Sequence, residues 1–196
     1  MLRGWSLPPA ALLFAALLVG CAASLTPAPT NPALLPAEPT LWKLALRRGG
    51  EPRYTGLLLL SRAEEGIGMV LLDPTGIKLL EGRVKESGAV AEVKALQPVA
   101  DRGLPDFLGG VVQRLFLLAP PPVGEPCRPE GFGKLCQGLD ESGRLVRIKS
   151  WGPFVLWAAD YSINNEIAPP LLTGARLDEG WLTPEVGLER RLEPPE

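Results

Sequence analysis

The stretch GMVLLDPTGIKLL, residues 68–80, decides the fold of this chain. An apolar run is followed at once by the turn 73–76, DPTG, in which aspartate, proline and glycine each favour a tight turn for a separate backbone reason. A second apolar run begins at Ile77. Two strands joined by so short a turn predict an antiparallel hairpin, because a parallel pair needs a crossover of a dozen or more residues.

Similar short apolar segments continue on both sides of this hairpin, with turn residues between them about every ten positions. The predicted strands are residues 41–48, 54–62, 67–72, 77–84, 90–96, 133–139, 145–151, 154–161, 171–177 and 181–188. Strands of this length and spacing predict a mainly β (α+β) domain built on an antiparallel sheet, either a sandwich or a barrel.

One segment breaks the β pattern and predicts a helix over residues 105–118. Its apolar residues recur at helical spacing: Leu108, Val111, Val112, Leu115 and Leu118. Three prolines at 120–122 end it. Two interpretations remain open, because such a helix either caps the sheet and fills the core or acts as a lid over an apolar cavity.

The composition argues against catalysis and against nucleic acid. The chain has no histidine, the commonest general base and metal ligand, and its net charge is −2. No G-x-S-x-G elbow, phosphate loop or metal-ligand spacing occurs. The adjacent carboxylates Glu64 and Glu65 point to opposite faces if they lie on a strand. We therefore expect a protein that is not an enzyme, with no cofactor, no metal and no nucleic-acid partner.

Two cysteines of the predicted domain, Cys127 and Cys136, favour a disulfide if the chain is exported. In the chain-entropy interpretation, closing this short loop stabilises the fold by about 2.5–3 kcal/mol. Two free thiols or half of a metal site are the alternatives.

The N-terminus predicts a lipoprotein. Arg3 precedes an apolar run at 7–19, which is too short to span a bilayer but suits a signal peptide, residues 1–20. Residues 18–21, LVGC, form a lipobox in which the thiol of Cys21 receives diacylglycerol. Two or three acyl chains, palmitate among them, anchor durably, whereas one binds only reversibly. An ordinary secretory signal and a permanent membrane anchor are the alternatives.

Residues 21–40 are rich in proline and alanine and predict an extended, solvated tether. The expected organisation is therefore a signal peptide, this tether, a β domain over residues 41–192 and a tail over residues 193–196.

The order of these features resembles the lipoprotein-localisation carriers LolA and LolB and their LolB-like relatives. Three stretches carry the resemblance: GMVLLDPTGIKLL at 68–80, QRLFLLAPPP at 113–122 and NNEIAPPLLTGARLDEGWLTPEVGL at 164–188. The resemblance implies a curved, incomplete antiparallel barrel with a helical lid and an apolar cavity for acyl chains. LolB has an exposed leucine between the proline and glycine of a protruding turn, where this chain has Thr75 between Pro74 and Gly76.

From the resemblance we expect an outer-membrane lipoprotein facing the periplasm, because Ala22 is not the aspartate that retains lipoproteins in the inner membrane. It would be a monomer that binds lipid or lipoprotein acyl chains reversibly, in transport, and that meets a periplasmic carrier. Candidate cavity and lid residues are Leu58, Leu60, Val70, Leu72, Leu79, Leu108, Val112, Leu115 and Trp157. The alternative is an accessory envelope lipoprotein with a filled core that acts through protein contacts.

Overall fold

The computed structural model describes residue 35 and residues 38–119, 121, 125–166, 170–180 and 183–191. Within them the chain forms eleven strands: β1 (Thr40–Arg48), β2 (Glu51–Ala63), β3 (Gly66–Leu72), β4 (Lys78–Val84), β5 (Val90–Ala95), β6 (Arg128–Glu130), β7 (Gly133–Leu139), β8 (Leu145–Trp151), β9 (Phe154–Asn164), β10 (Leu171–Asp178) and β11 (Glu185–Arg190).

All eleven strands belong to one antiparallel sheet, with the spatial order β5-β4-β3-β2-β1-β11-β10-β9-β8-β7-β6. Neighbours in the sheet follow one another in the chain, except where the last strand, β11, pairs with the first, β1. The strands β5 and β6 lie at the two edges and do not pair with each other, so the sheet is not closed. The prediction of a mainly β protein with an incomplete antiparallel sheet is confirmed.

The hairpin predicted from residues 68–80 is formed by β3 and β4. Asp73 N donates to the carbonyl of Ile77 at 2.9 Å, and Gly76 N donates to the carbonyl of Asp73 at 3.0 Å. Gly76 has a φ of 91°, a conformation that other residues rarely adopt. Ile77 was expected to begin the second strand, but β4 begins at Lys78.

A second turn of the same construction joins β7 to β8, where the sequence again has aspartate, a hydroxyl residue and glycine. Asp140 N donates to the carbonyl of Arg144 and Gly143 N donates to that of Asp140, both at 2.9 Å. The Asp140 carboxylate also accepts from N and Oγ of Ser142. The spacing D-x-S/T-G therefore specifies two separate hairpins of this sheet.

Alternation along the strands buries one face of the sheet. Trp42 and Leu44 of β1 are fully buried, whereas Lys43 between them is exposed. The buried residues of β2 and β3 face one another in register, with Leu58 opposite Leu71. This face holds the apolar core, because side chains along a strand point alternately to opposite faces.

A helical segment connects the two edge strands and covers the buried face. It comprises α1 (Gln97–Ala100), α2 (Leu104–Val112) and a π-helical turn (Gln113–Leu117). The predicted helix over 105–118 is thus confirmed, except that its last part widens so that Leu118 N donates to the carbonyl of Gln113 at 2.8 Å. We call residues 104–117 the covering helix.

Both edge strands are irregular. The strand β5 contains Glu92, which has a φ of 56° and is the one described residue other than glycine with a positive φ. The strand β6 has three residues, of which Pro129 has no N–H to donate. Neither edge therefore presents a long regular row of backbone donors and acceptors.

The described part of the chain reaches back to Leu35, which the sequence assigned to the tether. Leu35 is buried, and its carbonyl accepts from Nε and Nη2 of Arg62 at 3.1 and 2.6 Å. The predicted signal peptide, Cys21, Ala22 and the tail at 193–196 lie outside the described residues. No helix among the described residues is long and apolar enough to cross a bilayer.

Candidate functional site

The residues predicted to line a cavity mostly meet in one place, between the covering helix and the buried face of the sheet. The residues that do so, all buried members of one apolar cluster, are Leu58, Leu60, Leu108, Val112, Leu115 and Trp157. Apart from Trp157, none of the six exposes measurable surface. The helix therefore closes on the sheet by direct apolar packing, to which the rings of Trp42 and Phe116 add a tilted contact at 5.9 Å.

The other three of the nine residues are not buried members of this cluster. Val70 and Leu72 alternate with the buried Met69 and Leu71, so they occupy the opposite, half-exposed face of β3, and the prediction that they line the interior was wrong. Shifting the inward set of a strand by one residue moves every side chain to the other face. Leu79 is partly buried and packs against the cluster beside the buried Leu80.

A buried arginine lies at the end of the covering helix. Arg147 of β8 is 2 % exposed, and its Nε donates to Oε1 of Gln137 at 2.7 Å. Its Nη1 donates to the carbonyls of Leu115 and Leu118 at 3.3 and 3.1 Å. The last carbonyls of a helix have no partner inside the helix, and a cation is favourable at that negative end. Arg147 of β8 thus caps the C-terminal end of the covering helix.

Tyr161 of β9 makes a second link to the same point. Its hydroxyl donates to the carbonyl of Leu115 at 3.0 Å, and Cζ of Arg147 lies 5.2 Å from the centroid of its ring. Two side chains of neighbouring strands therefore converge on one helix carbonyl, and each also contacts the other.

Burial affects the two groups in the expected directions. It lowers the pKa of the Arg147 guanidinium, and it raises the pKa of the Tyr161 hydroxyl to about 12, although the nearby guanidinium opposes the latter effect. Tyr161 therefore keeps its proton at neutral pH and remains a hydrogen-bond donor to the helix.

Two further side chains fasten the same turn of the covering helix. Gln113 Nε2 donates to the carbonyl of Glu86, in the turn between β4 and β5, at 2.8 Å. Arg114 Nη1 lies 2.9 Å from Oε1 of Glu179, which follows β10. Residues 113–118 are thus fixed to the sheet by side chains from several strands and turns.

The predicted disulfide is confirmed. Cys127, directly before β6, is bonded to Cys136 of β7, with Cα atoms 4.3 Å apart. The residues between the two cysteines form a short hairpin of β6 and β7. The bond ties the edge strand to its neighbour.

The β3–β4 turn has no bulky apolar side chain at Thr75. Thr75 donates its N–H and its hydroxyl to Oδ1 of Asp73 at 2.8 and 2.7 Å. These bonds lower the pKa of the Asp73 carboxyl and keep the hydroxyl inside the turn. The large apolar residue of this turn is Ile77, which is 59 % exposed because it precedes β4.

Sequence reasoning missed Arg147 and Tyr161. The segment LVRIKSW favours placing Val146 and Ile148 inward and Arg147 outward, because an unpaired buried cation is costly. A signal was present, since Gln137, which accepts from Arg147, lies directly opposite it on β7. Among the described residues, no group of three or more histidine, cysteine, aspartate or glutamate side chains is placed to hold a metal ion.

The fold and this site define a class: a mainly β protein whose open antiparallel sheet is covered by one helix, fixed at its end by buried polar side chains. No protein-family description matches the chain, and no curated protein matches it significantly.

Proposed function

We propose that this chain is an outer-membrane lipoprotein, anchored through Cys21 and facing the periplasm, whose β domain binds acyl chains reversibly between the sheet and the covering helix. By binding acyl chains, the domain would handle lipids or lipoproteins as LolB-like proteins do. No covalent bond is made or broken in the proposed process. Binding is favourable because the apolar interior shields the acyl chain from water.

The observation that carries the proposal is how the covering helix is held. Its apolar side is buried against the sheet, while its end is fixed by Arg147 and Tyr161, which belong to other strands. Displacing the helix breaks these side-chain bonds and leaves the sheet ladder intact. The buried leucines beneath it, Leu58 and Leu60 of β2, are the surface that an acyl chain would then contact.

The same closure favours a second candidate. Leu58 and Leu60 under the helix expose no surface, as in the filled core of an accessory lipoprotein that acts through protein contacts. The two candidates differ in whether the helix moves to admit a ligand.

Native mass spectrometry and lipid extraction of the domain without residues 1–21 would separate them. Acyl lipid that co-purifies, or saturable binding of a fluorescent fatty acid, supports the carrier. A lipid-free domain that also rejects the added fatty acid excludes it and leaves the filled core.

The anchor is tested separately by labelling cells with radioactive palmitate. We expect label in the wild-type chain and none in Cys21→Ser, which also leaves the outer-membrane fraction. Labelling of both chains would contradict lipidation at Cys21. Because this readout does not depend on the cavity, it distinguishes a wrong anchor from a wrong ligand.

A further inference from the structure

Four large apolar side chains are exposed at the ends of two neighbouring hairpins. Phe132, in the turn between β6 and β7, is 79 % exposed; Trp151, Phe154 and Val155, around the turn between β8 and β9, are 57, 63 and 60 % exposed. We call these four residues the aromatic tip. They belong to no site described above.

The members of the aromatic tip form one surface. Trp151 pairs with Phe154 across the β8–β9 hairpin, and their ring centroids are 6.4 Å apart. Lys134 of β7 pairs with Ser150 of β8, which brings the turn carrying Phe132 beside Trp151. At about 150–250 Å² per aromatic side chain, the three rings expose on the order of 300–500 Å². An apolar patch of that size on a monomer is often functional.

The net charge around the tip is positive. Near the tip, the two hairpins carry Arg128, Lys134 and Lys149 against Glu130, a net charge of +2. Arg147 and Asp160, further along the same strands, cancel each other, and the whole chain has a net charge of −2. Glu130 is already paired with Arg128 at 3.0 Å, and its carbonyl accepts from Nζ of Lys149. Lys134 is exposed. The apolar tip is therefore bordered by positive charge that favours a negatively charged surface.

We propose that the aromatic tip contacts an anionic lipid bilayer, with its rings at headgroup level. Tryptophan is enriched at that depth because its ring is apolar and its N–H is polar, and lysines beside it are attracted to anionic headgroups. The shape fits as well, since Gly131 and Gly152, with φ of 56° each, make tight turns that place the rings at the extreme end of the hairpins. A projecting tip suits shallow insertion better than it suits a flat protein interface.

The strand directions put a second exposed apolar side chain at the same end of the sheet. Following the antiparallel pairs from β9 to β3 places the β3–β4 turn, with its exposed Ile77, at the end that carries the tip. Leu35 lies at the opposite end, beside Arg62. The aromatic tip is therefore separate from the point where the N-terminal segment joins the domain.

The test uses the full chain as cells process it, mixed with vesicles of phosphatidylglycerol and phosphatidylcholine in which a share of the lipid is brominated. Bromine quenches tryptophan only in contact with the bilayer. Trp42 and Trp157 are buried, and Trp181 is replaced by phenylalanine in every chain that is compared. We expect quenching in the chain that retains Trp151 and loss of most of it in Trp151→Phe, which keeps an aromatic ring. Equal quenching of the two chains would overturn the proposal.

Matched variants test the apolar and the charged part separately. Phe132→Ser combined with Phe154→Ser should reduce the quenching of Trp151, whereas Val93→Ser, which alters an exposed apolar residue of β5 outside the tip, should leave it unchanged. Lys134→Glu should reduce quenching with phosphatidylglycerol and not with pure phosphatidylcholine. An equal loss in Val93→Ser, or no loss in the double variant, would refute contact through the tip. Acyl binding is not part of this readout, so its outcome is independent of the proposed function.

Discussion

The guanidinium of Arg147 lies over the ring of Tyr161, 5.2 Å from its centroid, and both side chains donate to the carbonyl of Leu115. Two strands thereby hold the end of the covering helix through one acceptor. A buried carbonyl that loses its donors costs more than the bond itself contributes, because it is left without water or protein partner. The stability of the helix end should therefore depend on these two residues.

Replacing Tyr161 by phenylalanine removes one donor and keeps the ring under Arg147. We expect a loss of about 1 kcal/mol in the free energy of unfolding, the ordinary worth of such a bond. Arg147→Met should cost about 1–3 kcal/mol, since the carbonyl of Leu118 then also loses its donor. Hydrogen exchange of residues 113–118 should accelerate in both variants more than exchange in β1.

A double-mutant cycle on these two residues is the sharper measurement. Groups that share an acceptor and contact each other show coupling of about 0.5–3 kcal/mol. Strictly additive losses, or exchange that accelerates evenly over the whole sheet, would mean that the pair does not hold the helix end specifically.

Two adjacent glycines of the covering helix should respond oppositely to alanine. A Cβ on Gly109 would lie 2.5 Å from the carbonyl oxygen of Gly88, which is backbone and cannot move away easily. A Cβ on Gly110 would meet only the guanidinium end of Arg114, at 2.7 Å, which is flexible. Gly109→Ala should destabilise by about 1–3 kcal/mol through overpacking.

Gly110→Ala, the matched control, should be neutral or stabilise by up to about 1 kcal/mol, because alanine favours a helix over glycine. Denaturant unfolding of both variants checks the pair. A helix seated more loosely on the β4–β5 turn than the structure shows would tolerate both substitutions.

The disulfide should matter for stability and little for the sheet as a whole. Replacing Cys127 and Cys136 together by serine should lower the free energy of unfolding by about 2.5–3 kcal/mol, the chain-entropy value for so short a loop. The circular dichroism spectrum should remain that of a β protein, since the bond fixes only β6 to β7. Chemical denaturation of the oxidised chain, the reduced chain and the double variant measures this; an oxidised chain no more stable than the double variant would contradict it.

Asp140 predicts a pH dependence. Hydrogen bonds from Ser142 and Arg144 lower the pKa of its carboxyl below the ordinary 3.8. A group whose pKa is lowered by folding stabilises above its unfolded pKa and loses that contribution as the pH falls through the folded value. The wild-type chain should therefore lose part of its stability below about pH 4, in proportion to the protons taken up.

Asp140→Asn should be less stable at neutral pH and should lack that part of the acid loss. Its neighbour Glu141 accepts none of these hydrogen bonds, so Glu141→Gln is the control and should keep the wild-type acid profile. Thermal unfolding from about pH 2 to pH 7 gives the comparison. Parallel curves for Asp140→Asn and the wild-type chain would show that the turn does not depend on the ionised carboxylate.

Most of the sheet could be predicted because residues that favour tight turns separate its strands in the sequence. The aspartate, hydroxyl residue and glycine at 73–76 make the hydrogen bonds of the hairpin turn among themselves and with Ile77. The inward face could not be predicted for β3, because MVLL is apolar at every position and alternation disappears. Only the pairing of Leu71 with Leu58 decides it.

The polar part of the site was harder to predict for a related reason. Arg147 lies on the buried face of β8 because Gln137, Tyr161 and the carbonyls of the helix end together satisfy it. Those partners are distant in sequence, so no local pattern distinguishes this arginine from a solvated one.

An open sheet has two edges, and each edge of this sheet discourages an added strand. The strand β6 is three residues long and contains Pro129, which has no N–H to donate to an added strand. The disulfide ties Cys127, directly before β6, to Cys136 of β7. In β5, the positive φ of Glu92 interrupts the row of donors and acceptors, and charged side chains stand beside it. An incoming chain thus finds no continuous template for cross-β growth at either edge of the open sheet.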